Sequence, residues 1–205
     1  ATEDNTTVTI TPTRSIEARP AGVPYDVFLD AGQTYRAAGG SFVGLTELTG
    51  TTVVSDKPIF VLGANQATEI PNQVGQADFL IEQLPPVNSW GRQFITSPLA
   101  NRIGGDSFKV VASQDNTSVE INGTTVATLN RGEFHQQIID GPAEITASEP
   151  VYLAQFALCQ SFDNPSNDPA GPIGDPMMMQ IAPYEQYRTE YTLGIPGNGF
   201  IKNFI

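Results

Sequence analysis

Apolar residues in this chain fall in short runs, most of them alternating with polar ones and bounded by Gly, Pro, Asn or Asp. That pattern predicts strands, because side chains on a strand point to opposite faces in turn. Val8 to Thr11 is the first, followed by a loop marked by Pro12, Pro20 and Pro24. Val27 to Leu29 and Thr34 to Arg36 flank a turn at Gly32, and Thr51 to Val54 follows a Gly-rich crossing at Gly39, Gly40 and Gly44. Ile59 to Leu62 has no polar face, which predicts a strand buried on both sides. Gly63 to Ala77 reads as a polar loop, and Phe79 to Ile81 as a strand stopped by Pro85 and Pro86, which cannot donate to a ladder. Phe108, Val110 and Ala112 alternate, as do Val119 and Ile121. Asn122-Gly123 then predicts a type I′ hairpin that sets Val119 opposite Val126. Further strands are expected at Ala127 to Leu129, Phe134 to Ile139, Ala143 to Thr146 and Val151 to Leu158. No helical period survives three turns without Gly or Pro, so the fold class is all-β.

Several of these runs occur twice in one order. DFLIEQLPPVNSWGRQFITSP from Asp78 recurs as DPMMMQIAPYEQYRTEYTLGIP from Asp175, pairing Pro86 with Pro183, Trp90 with Tyr187 and Phe94 with Tyr191. DNTTVTI from Asp4 recurs as DNTSVEI from Asp115, VFLDAGQTY as ATLNRGEFH, and SDKPIFVLG as SEPVYLAQ. Ordered blocks of this kind indicate a duplicated unit. The expectation is two tandem β-sandwich-like repeats of about one hundred residues each, 1–103 and 104–205. Phe200 to Ile205 aligns with the strand before DNTSVEI, so it would begin a third unit or complete the first, as in a piece of a longer protein.

Composition narrows the function. With 22 acidic and 10 basic residues the net charge is -12, which opposes nucleic acid and anionic membranes. No apolar run is long enough for a membrane helix, and the segment ATEDNTTV lacks the basic region followed by an apolar run that marks a signal peptide. One cysteine, Cys159, cannot form an internal disulfide, and with the single His135 it makes no zinc cluster. Following VYLAQFAL, it is expected to be a buried apolar residue. No nucleophile elbow, zinc-protease helix, phosphate loop or dinucleotide fingerprint is present, so no enzyme is expected. Asp78 and Asp175 are read as fixing the entry to strands by local backbone bonds. The loop from Ser161 to Pro176 is rich in hard oxygen donors, and Asp163, Asn167, Asp168 and Asp175 are the candidate ligands for Ca2+. As ligand-binding candidates we single out Asn65 and Gln66 in the Gly63 to Ala77 loop, Asp163 and Asn164 in the later loop, and Trp90. Trp90 reads first as a packing plug and second as a sugar-stacking platform.

GQTY at Gly32, LTGT at Leu48, EQLPPV at Glu82, GDSFKVVAS at Gly105 and GDPMMM at Gly174 together span nearly the whole chain. In these motifs the chain resembles the IgGFc-binding protein N-terminal domain family. The resemblance implies an extracellular β-rich module of a larger surface or secreted protein, with an adhesive or binding role. It does not imply antibody binding. The family's animal pattern implies cysteines flanking the loop before EQLPP, where this chain has Gln66, Ala67 and Ala77. A disulfide-free member fits a bacterial surface protein. The Asn-X-Ser/Thr triplets at Asn5, Asn116 and Asn122 are then turn residues. Expected partners are a protein or glycan on a host, prey or neighbouring cell surface. The alternatives are a structural spacer in a surface fibre and, behind it, a carbohydrate-active enzyme.

Overall fold

A computed structural model describes residues 1–39, 47–100, 102–162 and 174–194. Strands β1 (Thr6–Thr11), β2 (Tyr25–Leu29) and β3 (Thr52–Ser55) form an antiparallel sheet in the order β2-β1-β3. β4 (Leu62–Thr68) and β5 (Asp78–Gln83) form a hairpin. A larger sheet holds β6 (Gly91–Thr96), β7 (Asp106–Ala112), β8 (Thr117–Ile121), β9 (Thr124–Leu129), β10 (Phe134–Ile139), β11 (Ala143–Ala157) and β12 (Met177–Gln180). Two 3-10 turns, Val87–Ser89 and Tyr184–Gln186, are the helical elements among the described residues. The class is all-β, as the alternation predicts.

β11 organises the large sheet. Its first half lies between β6 and β8, with Ile145 opposite both Phe94 and Ile121. Its second half lies between β7 and β12. The sequence pattern predicts two strands here, Ala143 to Thr146 and Val151 to Leu158. The chain instead continues, because the β6 register shifts between Thr146 and Val151 and Pro150 serves as an acceptor for Ser113 N at 3.2 Å.

Local chemistry explains the turns. Asn5 and Asn116 both have positive φ, 53° and 57°, a region Asn tolerates better than most residues. The next residues, Thr6 and Thr117, are fully buried, and their hydroxyls donate to Glu3 O and Gln114 O. Asp4 Oδ1 accepts from Ala31 N at 3.0 Å, and Asp115 Oδ1 from Arg131 N at 2.9 Å. Each 3-10 turn follows a proline and ends on an aromatic residue: Trp90 N donates to Val87 O and Tyr187 N to Tyr184 O.

The main core gathers Phe94, Phe108, Val110, Val119, Ile145 and Leu153 with their neighbours between the strands of the large sheet. A second cluster joins Ile70 and Leu80 to Ala154, Phe156 and Leu158, and a third is built from Val8, Ile10 and Tyr25. Each large apolar side chain fully buried in such a cluster contributes roughly 1.5–3 kcal/mol.

Four expectations are corrected. The Asn122-Gly123 hairpin forms with both φ positive, but a bulge after Val119 moves its partner from Val126 to Ala127. Thr34 to Arg36 makes no strand; Tyr35 stands partly exposed, its ring edge-on to Tyr25 at 6.4 Å. Ile59 to Leu62 is not buried on both sides, since Phe60 and Leu62 are exposed and β4 starts only at Leu62. The polar stretch after Gly63 is not all loop: through Thr68 it is strand, and its outward polar residues hid the period.

Candidate binding surface

The β4–β5 hairpin carries apolar residues on both faces. Its register sets Leu62 opposite Gln83, Ala64 opposite Ile81 and Asn65 opposite Leu80. Leu80, 6% exposed, turns inward with Ile70 onto Ala154, Phe156 and Leu158 of the large sheet. By alternation Leu62, Phe79 and Ile81 stand on the opposite face, and they are 47%, 52% and 47% exposed. Phe60, just before β4, is 59% exposed, and Val54 on β3 and Phe28 on β2 are exposed as well. Scattered apolar residues on a surface are ordinary, whereas several on one short hairpin are the usual mark of an interaction face. Among the described residues β4 pairs only with β5, so its outer edge also offers free backbone groups.

A shallow groove lies beside this hairpin, lined by Pro85, Ser89, Trp90, Tyr152, Pro183 and Gln186 among others. Trp90 is half-buried, its ring tilted against Tyr152 at 5.8 Å and its indole N–H donating to Pro85 O at 3.2 Å. It is therefore a packing residue with one open edge, nearer the plug than the platform. Tyr152 Oη is buried without a hydrogen-bond partner, and burial, with the Glu82 carboxylate second, pushes the phenol well above its usual range. The two 3-10 turns meet here: Gln186 Nε2 donates to Ser89 O at 2.5 Å, and Glu185 Oε1 accepts from Arg92 N at 2.9 Å.

The other residues singled out in the sequence do not converge on one place. Asn65 and Gln66 are exposed on β4, and Asn65 Oδ1 is occupied by Ala67 N at 3.1 Å, a local turn contact. Asp163, Asn164, Asn167 and Asp168 lie outside the described residues. Asp175 is exposed, and no group of three or more His, Cys, Asp or Glu that could hold a metal occurs among the described residues. Asp78 does cap locally, accepting from Phe79 N at 2.7 Å.

The sole histidine, His135, shares a hydrogen bond with Gln137 on the same strand. Cys159 is fully buried, its Sγ accepting from Ile70 N at 3.0 Å, and burial raises its pKa. Elsewhere Lys109 is mostly buried against the Phe134 ring at 4.7 Å, and its Nζ meets Glu47 at 2.7 Å. For Glu47, burial pulls the pKa up, but the Lys109 and Thr49 bonds outweigh it and hold the carboxyl below its usual value. The outward face of β4–β5 was missed in the sequence because an unbroken apolar run looks the same whether one or both faces are covered.

The sequence model of the IgGFc binding protein family matches residues 1–205. The chain belongs to that family. It is a family of non-enzymatic binding domains, generally of extracellular proteins, which makes a protein-binding module the coarse functional reading. No curated protein and no solved structure matches the chain. No helix among the described residues is long and apolar enough to cross a membrane.

Proposed function

We propose that this chain is an adhesion module of a larger bacterial surface or secreted protein, built as two copies of one β unit. It binds a protein partner through the outward face of β4–β5. The observation that carries this reading is the set of exposed apolar side chains Phe60, Leu62, Phe79 and Ile81, which a partner protein would cover. Burying such a face is the main favourable term in most protein association. A spacer that only holds distance in a fibre would present a polar, acidic surface there, and a glycan would be met by polar groups beside an aromatic plane. The duplication is supported by the matching turns at Asp4 and Asp115 and the matching 3-10 turns at Val87 and Tyr184.

The test is attachment of beads coated with the chain to an epithelial cell monolayer under flow. The double variant Phe60→Asp, Ile81→Asp should attach several-fold less than wild type. Equal attachment of both would contradict the reading.

A further inference from the structure

The chain closes one kind of hairpin in two ways. Ile121 on β8 pairs with Thr124 across the two-residue turn Asn122-Gly123 and also faces Ile145 of β11. Ile10 on β1 pairs with Tyr25 and faces Val53 of β3 in the same frame, yet residues 11–24 lie between Ile10 and Tyr25. The short connection suffices to make the hairpin, so the fold does not require the long one. An insertion of this length costs little to close and is free to carry a function of its own.

The loop is built rather than slack. Ile16 is 1% exposed, and Ile16 and Arg19 exchange backbone hydrogen bonds at 2.9 and 2.8 Å. Between them Glu17 takes φ 51°, a region usually left to Gly or Asn. Gly22 N donates to Pro12 O at 2.7 Å, and Thr13 N to Thr51 Oγ1 at 3.2 Å. This framework holds Arg19 over the Tyr25 ring, 4.4 Å from its centroid, and Tyr25 Oη lies 3.5 Å from Tyr35 Oη. Stacking fixes a guanidinium plane in advance and leaves its N–H fork for an oxyanion. Among the described residues no carboxylate, Glu17 included, pairs with Arg14 or Arg19. Asp26, next to Tyr25, is on the other face of β2, where Thr9 Oγ1 donates to it at 2.7 Å.

Charge identifies what the loop fits. Residues 11–24 hold Arg14, Arg19 and one carboxylate, a net charge of +1 in a chain of -12. At physiological salt charges beyond about 8 Å are largely screened, so the local excess governs an approaching anion. Val23, whose N donates to Pro20 O, and Tyr35 are both exposed and add apolar surface. That combination suits a peptide with carboxylates and apolar side chains better than a sulfated glycan, which has no apolar side chains to cover Val23.

We propose that residues 11–24 form a second recognition element, separate from β4–β5, for an acidic segment of a partner protein. A carboxylate of that segment seats on the Arg19 fork, with Arg14 adding charge and an apolar neighbour covering Val23 or Tyr35.

The test is fluorescence anisotropy of a labelled peptide of alternating glutamate and leucine, titrated with the full chain to about 1 mM, the weak end of specific affinities. The peptide should bind wild type, its glutamine counterpart at least tenfold more weakly, and about 0.5 M salt should weaken the contact. Arg19→Gln should lose at least tenfold, and Arg131→Gln, in the corresponding region of the second unit, should bind as wild type. Replacing residues 11–24 by Asn-Gly should abolish binding and keep a single cooperative urea transition. Should that replacement not fold, the loop is a structural requirement and the inference falls. It also falls if Arg19→Gln binds as wild type, if the glutamine peptide binds equally well, or if heparin binds through Arg19 while the acidic peptide does not.

Discussion

Phe94 and Tyr191 follow the closing residues of the two 3-10 turns by the same interval, yet Phe94 is 1% exposed and Tyr191 is 64% exposed. The difference lies in packing. Phe94 has Ile145 of β11 opposite it, while Tyr191 has for a partner Arg188 N, which donates to its hydroxyl at 2.8 Å. Phe94→Ala should therefore cost about 3–5 kcal/mol as a core cavity. Tyr191→Ala should change stability by no more than about 0.5 kcal/mol, since exposed sites tolerate substitution. Urea unfolding of dilute protein reads both.

Gly91 brings the two turns into contact. A Cβ built there would overlap Pro183, and Glu185 stands beside it. Gly91→Ala is expected to destabilise by about 1–3 kcal/mol through overpacking. Gly194→Ala, with nothing near it, should be neutral in the same denaturation experiment.

The Glu47–Lys109 pair ties the segment before β3 to β7. The folded pKa of Glu47 is lowered, so its contribution is present above the unfolded carboxyl pKa and is lost as pH falls through the folded value. Stability measured by urea unfolding should decline on acidification in that window, and Glu47→Gln should flatten the decline. An unchanged acid limb in the variant would rule out this pair as a contributor.

Cys159 is buried, with a thiol pKa raised by that burial. The nucleophilic form is the thiolate and labelling needs an opening of the fold, so alkylation at neutral pH should be slow and should scale with the small open fraction. Stopped labelling with iodoacetamide, in native buffer and in urea, distinguishes this from an accessible thiol.

Much of the fold was legible because its signals are local. Asn122-Gly123 dictated a hairpin, and Phe134 to Ile139 forms β10 with the bounds the alternation marks. The register beyond the hairpin was not legible, because the bulge that moves Val119 to Ala127 leaves no mark in the residues themselves. β11 was expected as two strands, Ala143 to Thr146 and Val151 to Leu158, and only the neighbouring strands β6, β7 and β8 show that the chain runs through between them. The candidate surface was least legible of all. Phe79, Leu80 and Ile81 read as one apolar run, and which of them is covered depends on Phe156, far away in sequence. Trp90 drew notice for its chemistry, yet its indole N–H is already committed to Pro85 O.

The central claim is that the outward face of β4–β5 is where a partner protein sits, and hydroxyl-radical footprinting tests it most directly. The chain would be oxidised free in dilute solution and again while holding coated beads on the cell monolayer. Oxidation of Phe60, Phe79 and Ile81 should fall several-fold on attachment, while Phe134 on β10, also partly exposed, should be unchanged. Equal oxidation of Phe60, Phe79 and Ile81 in the two states would contradict the account.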